Sequence, residues 1–234
     1  MKFTNFVLAL CALMVAGCAG QNPVGAPTTR VEVAPEEVMK TGFLKDYSIL
    51  QKGGEGEANL VYWNPTADFS GYHSVIIDPV TVWLGSGSDF NKVPPAERQE
   101  LANAFYSAAV KKLAEDYKIV SSAGPGVMHL RIALTDAQAS NPALDTISTY
   151  IPQARVLQTV VTLGADTAGF VGEASAEAEV RDSVTGTLLV AGVDRRAGTK
   201  SLGSGTVSSW GDARKAFEAW AAQFSGNLKK RQGR

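Results

Sequence analysis

Reactive side chains are scarce in this chain of 234 residues, which has two cysteines, Cys11 and Cys18, and two histidines, His73 and His129. Two histidines without a short His/Asp/Glu cluster leave a zinc ion without a ligand set. Neither a G-x-S-x-G elbow nor an ordered Ser, His, Asp series is present, so no nucleophile is marked by a local motif. The glycine-rich stretches Leu84–Asp89 and Leu202–Thr206 lack the Lys-Ser/Thr ending of a phosphate loop and read as ordinary loops. An excess of either charge is also missing: 22 Lys and Arg face 23 Asp and Glu, which leaves no global field to draw in nucleic acid. No cofactor is expected. What is present is ordinary globular composition, 45% hydrophobic and 19% charged, which is too apolar for a disordered chain.

The N-terminus carries the sharpest signal. Lys2 supplies a positive charge, and Phe6 to Ala16 is an apolar run too short to cross a hydrocarbon core of roughly 30 Å as a helix. The run ends Val15-Ala16-Gly17-Cys18, which resembles the lipobox of bacterial lipoprotein precursors. That resemblance implies cleavage before Cys18, a diacylglycerol on its thiol and a third acyl chain on the freed amine. Each buried methylene contributes about 0.8 kcal/mol, so a triacylated end is effectively permanent. Residues 1–17 are therefore read as a signal peptide, and the mature chain keeps one cysteine and no internal disulfide. Ala19 follows the cysteine, and by resemblance to enterobacterial sorting the absence of Asp there points to the outer membrane, on its periplasmic side.

Residues 18–40 carry Pro23, Pro27 and Pro35 with no sustained apolar period, and are expected to be a lipidated flexible tether. Residues 41–234 are expected to form a single α+β periplasmic domain: an antiparallel or mixed sheet with two long helices packed on one face. Phe43, Leu44, Tyr47 and Leu50 fit a short helical turn docked on that domain. Leu60–Trp63 reads as a strand. Ser74–Trp83 reads as another, with Pro79 demanding an edge position or a bulge near Asp78. The spacing predicts a helix from Ala96 to about Tyr117, with Leu101, Phe105, Ala109 and Leu113 inward, and strands at Lys118–Ser121 and Val127–Thr135. Residues 141–169 fit neither period cleanly.

Glu173 to Arg181 alternates strictly, which places Ala174, Ala176, Ala178 and Val180 on a buried face and Glu173, Glu177 and Glu179 on a solvated one. Asp182-Ser-Val-Thr-Gly186 is a hairpin turn into a strand from Thr187 to about Arg195. A Gly/Ser-rich loop follows at Gly198–Ser209. A last helix from about Trp210 buries Ala213, Phe217, Trp220, Phe224 and Leu228 and ends on Lys229, Lys230 and Arg231, where cations suit the helix dipole.

From about Thr41 to Leu228 the chain resembles a family of Gram-negative lipoproteins catalogued as a domain of unknown function, number 3313. The resemblance rests on Gly42–Tyr47, Tyr62–Pro65, Tyr72 ahead of Asp78-Pro79-Val80, and Asp182–Gly186, in that order. It implies an address and a domain type without an established reaction, cofactor or partner. The expected role is a non-catalytic interaction or accessory module of the cell envelope, held to the membrane through Cys18 and meeting a periplasmic protein or cell-wall partner. Trp63, Tyr72 and Trp83 are the candidate interaction surface. Two alternatives compete: an envelope hydrolase assembled from Asp78, His73 and Asp182, and a small-molecule-binding lipoprotein, which a sizeable apolar cavity between sheet and helices would favour.

Overall fold

A computed structural model describes residues 28–32, 40–85, 88–139, 172–198 and 210–234, and among these residues the fold has nine strands and two long helices. In chain order the strands are β1 (Thr28–Arg30), β2 (Gln51–Lys52), β3 (Leu60–Trp63), β4 (Ser74–Ile77), β5 (Thr81–Val82), β6 (Lys118–Ile119), β7 (Val127–Gln138), β8 (Glu173–Asp182) and β9 (Leu188–Gly198). The helices are α1 (Pro95–Leu113) and α2 (Gly211–Arg231). The long antiparallel strands β7, β8 and β9 form the centre of a sheet ordered β2-β3-β9-β8-β7-β4-β6. Along the free edge of β9 run β3 and then β1, both antiparallel, while β4 and then β5 run parallel to β7. The sheet is therefore mixed, and the architecture is α+β.

Both helices cover one face. Leu101, Phe105, Ala109 and Leu113 of α1 meet Ala213, Phe217, Trp220 and Leu228 of α2 over Val75, Met128, Leu130, Ile132, Ala176 and Val180 of the sheet. Phe105 stacks on Phe217 at 4.7 Å between ring centres, and Trp220 stacks on Phe105 at 5.4 Å. Pro95 opens α1, where its missing N–H costs nothing because that donor has no partner inside the helix. The β8–β9 hairpin turns as its sequence demands: Asp182 Oδ1 accepts from Val184 N and Thr185 N, and Gly186 takes φ +70°.

Four expectations change. Within the expected tether, Thr28–Arg30 pairs with Arg196–Gly198, because the end of β9 that β3 leaves uncovered still offers backbone groups. Thr41–Leu50 docks on the domain, but as bends and a turn rather than a helix, since its backbone amides are held by a side chain of β8. Ser74–Trp83 is two strands. The break falls at Asp78-Pro79-Val80, and β4 lies inside the sheet between β7 and β6, so an interruption accommodates Pro79 and not an edge position. The glutamate face of β8 is covered instead of solvated. Glu177 is 1% exposed and Glu179 3%, beneath a second small core of Phe43, Leu44, Leu60, Ala133, Ala191 and Val193. Residues 1–17, Cys18, most of the expected tether, residues 141–169 and nearly all of the Gly/Ser-rich loop lie outside the described residues. No helix among the described residues is long and apolar enough to cross a membrane.

Candidate functional site

The sheet face turned away from the helices is organised by two buried carboxylates. Glu177 Oε1 accepts from Thr41 N at 3.2 Å and Thr41 Oγ1 at 2.7 Å, and its Oε2 accepts from Tyr47 Oη at 2.6 Å and Leu44 N at 3.4 Å. A single glutamate thus ties residues 41–47 across the sheet and satisfies amides that the absence of helix would leave unpaired. Burial, and then the Glu177 carboxylate, push the Tyr47 hydroxyl above its ordinary pKa. Two residues along β8, Glu179 accepts from Arg131 at 2.5 Å and from Arg181 at 2.8 Å. Burial works to raise its pKa, but the two guanidiniums together hold it below the ordinary value. Arg131 also lies over the Phe43 ring at 5.1 Å, which clamps the strap from the side.

Trp63, Tyr72 and Trp83 do not gather. Trp63 and Tyr72 both pack against Phe69 on the helix side, with ring centres 5.6 and 6.5 Å away. Arg231 sits 4.2 Å over the Trp63 ring, and the Tyr72 hydroxyl donates to Asp182 at 2.9 Å. Burial and the Asp182 carboxylate push Tyr72 up to about 12. Trp83 stands apart on the strap side. Its ring meets Phe43 edge-on at 5.7 Å, its Nε1 donates to Thr41 O at 3.0 Å, and it remains 38% exposed beside Leu84, also 38% exposed. Of the three candidate aromatics only Trp83 is exposed, and it is followed in sequence by a second exposed apolar side chain, Leu84.

The constellation Asp78, His73 and Asp182 does not assemble either. His73 Nδ1 is 3.0 Å from Ser74 Oγ, and Asp182 serves the hairpin turn and Tyr72. Asp78 meets a histidine, but the other one: His129 Nε2 donates to its Oδ1 at 2.8 Å. That pair stands on the sheet surface with both side chains more than a third exposed, and Arg131 Nε lies 3.9 Å from the second carboxylate oxygen. Among the described residues, no group of three or more His, Cys, Asp or Glu side chains gathers as a metal site. The two arginines at the end of β9 are engaged internally, Arg195 on Glu173 and Arg196 on Asp194 and Gln223. Lys229, at the end of α2, pairs with Asp116 at 2.7 Å.

Between the helices and the sheet lies an apolar cavity of about 120 Å³, walled by Val61, Trp63, Phe105, Ala178, Trp220 and Phe224 among others. Trp63, Ala178 and Phe224 are partly exposed although they face the helix layer, so the cavity opens to solvent. The space exists because β8 presents alanines where strands ordinarily carry larger, β-branched side chains. At the back, Trp220 Nε1 donates to Asp194 at 2.7 Å and Asn59 N donates to the same carboxylate at 2.8 Å. Burial nevertheless raises Asp194 above the ordinary aspartate range, against the pull of Arg196. Glu177's hold on residues 41–47 was not read from the sequence, and a cavity between sheet and helices entered only as what a small-molecule-binding lipoprotein would show. An apolar segment at Phe43–Tyr47 needing a face to cover, and a strand offering alanine at every second position, were the available signals.

No curated protein matches this chain. Among solved structures it is similar to a PelC dodecamer from Paraburkholderia phytofirmans, at 12% identity and a TM-score of 0.40, over 72% of this chain and 94% of that one. It is also similar to a DUF4136 family protein from Bacteroides thetaiotaomicron, at 9% identity and a TM-score of 0.32, over 72% and 94%. The family model described as "Protein of unknown function (DUF3313)" matches residues 39–224, from just ahead of the strap through most of α2, and the chain belongs to that family.

Proposed function

We propose that this protein is an outer-membrane-anchored periplasmic lipoprotein that works as a non-catalytic interaction or accessory module of the cell envelope. The anchor rests on Val15-Ala16-Gly17-Cys18 behind a positive, short apolar run, with Ala19 directing it to the outer membrane. The observation that carries the binding role is the Trp83–Leu84 patch. Two large apolar side chains stay exposed at the margin of a strap that is otherwise fastened down by Glu177 and Arg131. A rigidly backed, exposed aromatic is what a binding surface supplies at low entropic cost. Against catalysis stand the dispersal of His73, Asp78 and Asp182 and the surface setting of the Asp78–His129 pair.

A photo-crosslinking residue at Leu84, with the same residue at Val184 as control, tests this reading in cells. Val184 is 62% exposed, on the hairpin turn at the far end of the central strands. A discrete protein or cell-wall adduct from position 84, and none from 184, is the expected result. Identical patterns at both positions, or none at either, would remove the patch as the working surface.

A further inference from the structure

We infer that the cavity between the helices and the sheet is a ligand site for a compact, uncharged hydrocarbon, the size of a monocyclic aromatic ring. Its volume of about 120 Å³ is close to that of engineered apolar cavities of about 150 Å³ that stay dry and take benzene. Its walls are of the matching kind: Trp63, Phe105, Trp220 and Phe224 supply ring faces and edges, and the strand side is floored by Ala176 and Ala178. The opening past Ala178 and Phe224 gives a route in from solvent, which a sealed packing defect lacks.

The rim determines the ligand's polarity. Glu57 holds Gly54 N at 3.0 Å and faces Arg231 at 3.7 Å. Gln223 accepts from Arg196, and Asn227 donates to Gly56 O at 2.9 Å. Asp194 is taken up by Trp220, Asn59 and Arg196. The side chains of Glu57, Gln223, Asn227 and Asp194 are thus engaged within the fold, whereas Trp63 Nε1 is buried without a hydrogen-bond partner. A ring carboxylate would leave water to face the carboxylates of Glu57 and Asp194, so anions are rejected. A neutral ring gains burial on all sides and gives up little.

The experiment titrates toluene and benzoate into the mature chain from residue 18 carrying Cys18→Ala, which has neither the lipid nor the apolar run Phe6–Ala16 and so needs no detergent. Binding is followed by ligand-observed NMR and by the fluorescence of Trp63 and Trp220, which line the space. Saturable one-to-one binding of toluene is expected, with a Kd of about 0.1–1 mM, and benzoate at least about tenfold weaker. Ala178→Phe and, separately, Ala178→Leu fill the space and should weaken toluene at least about tenfold while holding or raising Tm. Using both sizes keeps a result in hand if the larger side chain does not fold. No saturable toluene binding, equal binding of benzoate, or unaltered toluene binding in a folded filled variant would each overturn the assignment. None of these outcomes bears on the Trp83–Leu84 patch, which lies on the strap side of the sheet.

Discussion

A carboxylate that accepts four hydrogen bonds at 1% exposure is a demanding object, and Glu177 meets the demand only while Thr41, Leu44 and Tyr47 stay in place. Exchanging it for glutamine keeps the shape, removes the charge and turns an amide donor toward groups that are themselves donors. Glu177→Gln should cost about 2–3 kcal/mol in chemical denaturation and speed amide exchange at Leu44 and Tyr47. A cost under about 0.5 kcal/mol would mean that water serves the strap equally well. Glu179 makes a separate prediction because its pKa is lowered by Arg181 and Arg131 from an ordinary value of 4.5. A carboxylate depressed in the folded state contributes stability that is present above the unfolded pKa and lost as pH falls through the folded one. The Tm difference between the native chain and Glu179→Gln should therefore be widest above pH 4.5 and shrink below it. A constant difference from pH 7 to pH 3 would show that the ion pairs contribute no pH-dependent stability.

Short segments, more than long ones, carry the constraints that hold the elements in register. Gly126 lies in the turn into β7 at φ +70°, where a Cβ would stand 2.7 Å from both Gly71 O and His73 Nε2. Neither the backbone angle nor the space admits alanine, and the turn also receives His73 N and Ser74 N on Gly126 O at the start of β4. Gly126→Ala should lose at least about 2 kcal/mol, whereas Gly71→Ala, with open space around its Cβ, should lose far less in the same assay. The elements that the sequence announced plainly share one property: their pattern is local. The inward stripes of α1 and α2, the alternation of β8 and the Asp182–Gly186 turn each follow from residues a few positions apart. What was not legible depends on who lies opposite. Alternation in β8 shows that Glu177 and Ala176 face apart, but not that both faces are covered, because the cover comes from residues more than a hundred positions earlier. Thr28–Arg30 carries no pattern of its own and becomes a strand only because β9 outruns β3. The cavity is a matter of volumes missing between six elements, β3, β7, β8, β9, α1 and α2, which no single stretch records.

At the scale of the whole molecule, β1 changes where the domain stands. Because the chain is fixed to the sheet from Thr28, only residues 18–27 separate the proposed lipid from the fold. Ten residues reach about 33 Å at full extension, less than half of what residues 18–40 would span. The attachment is also directional. Thr28 lies beside Gly198, at the end of the central strands that carries Gln138 and Glu173. Trp83 hangs from Leu134 O toward that same end, whereas the β8–β9 turn with Val184 is at the other. Trp83 and Leu84 thus lie on the half of the domain nearest the tether, and under the proposed anchor a partner that met them would stand at or near the membrane. Cys18→Ala should then do three separable things: abolish labelling by a fatty-acid analogue, release the chain into the soluble periplasmic fraction, and leave Tm unchanged. Adducts from a crosslinker at Leu84 should fall with it, since the surface survives but is no longer kept beside its partner. Unchanged labelling would sink the anchor itself. Lost labelling with undiminished adducts would leave the anchor standing and place the partner free in the periplasm.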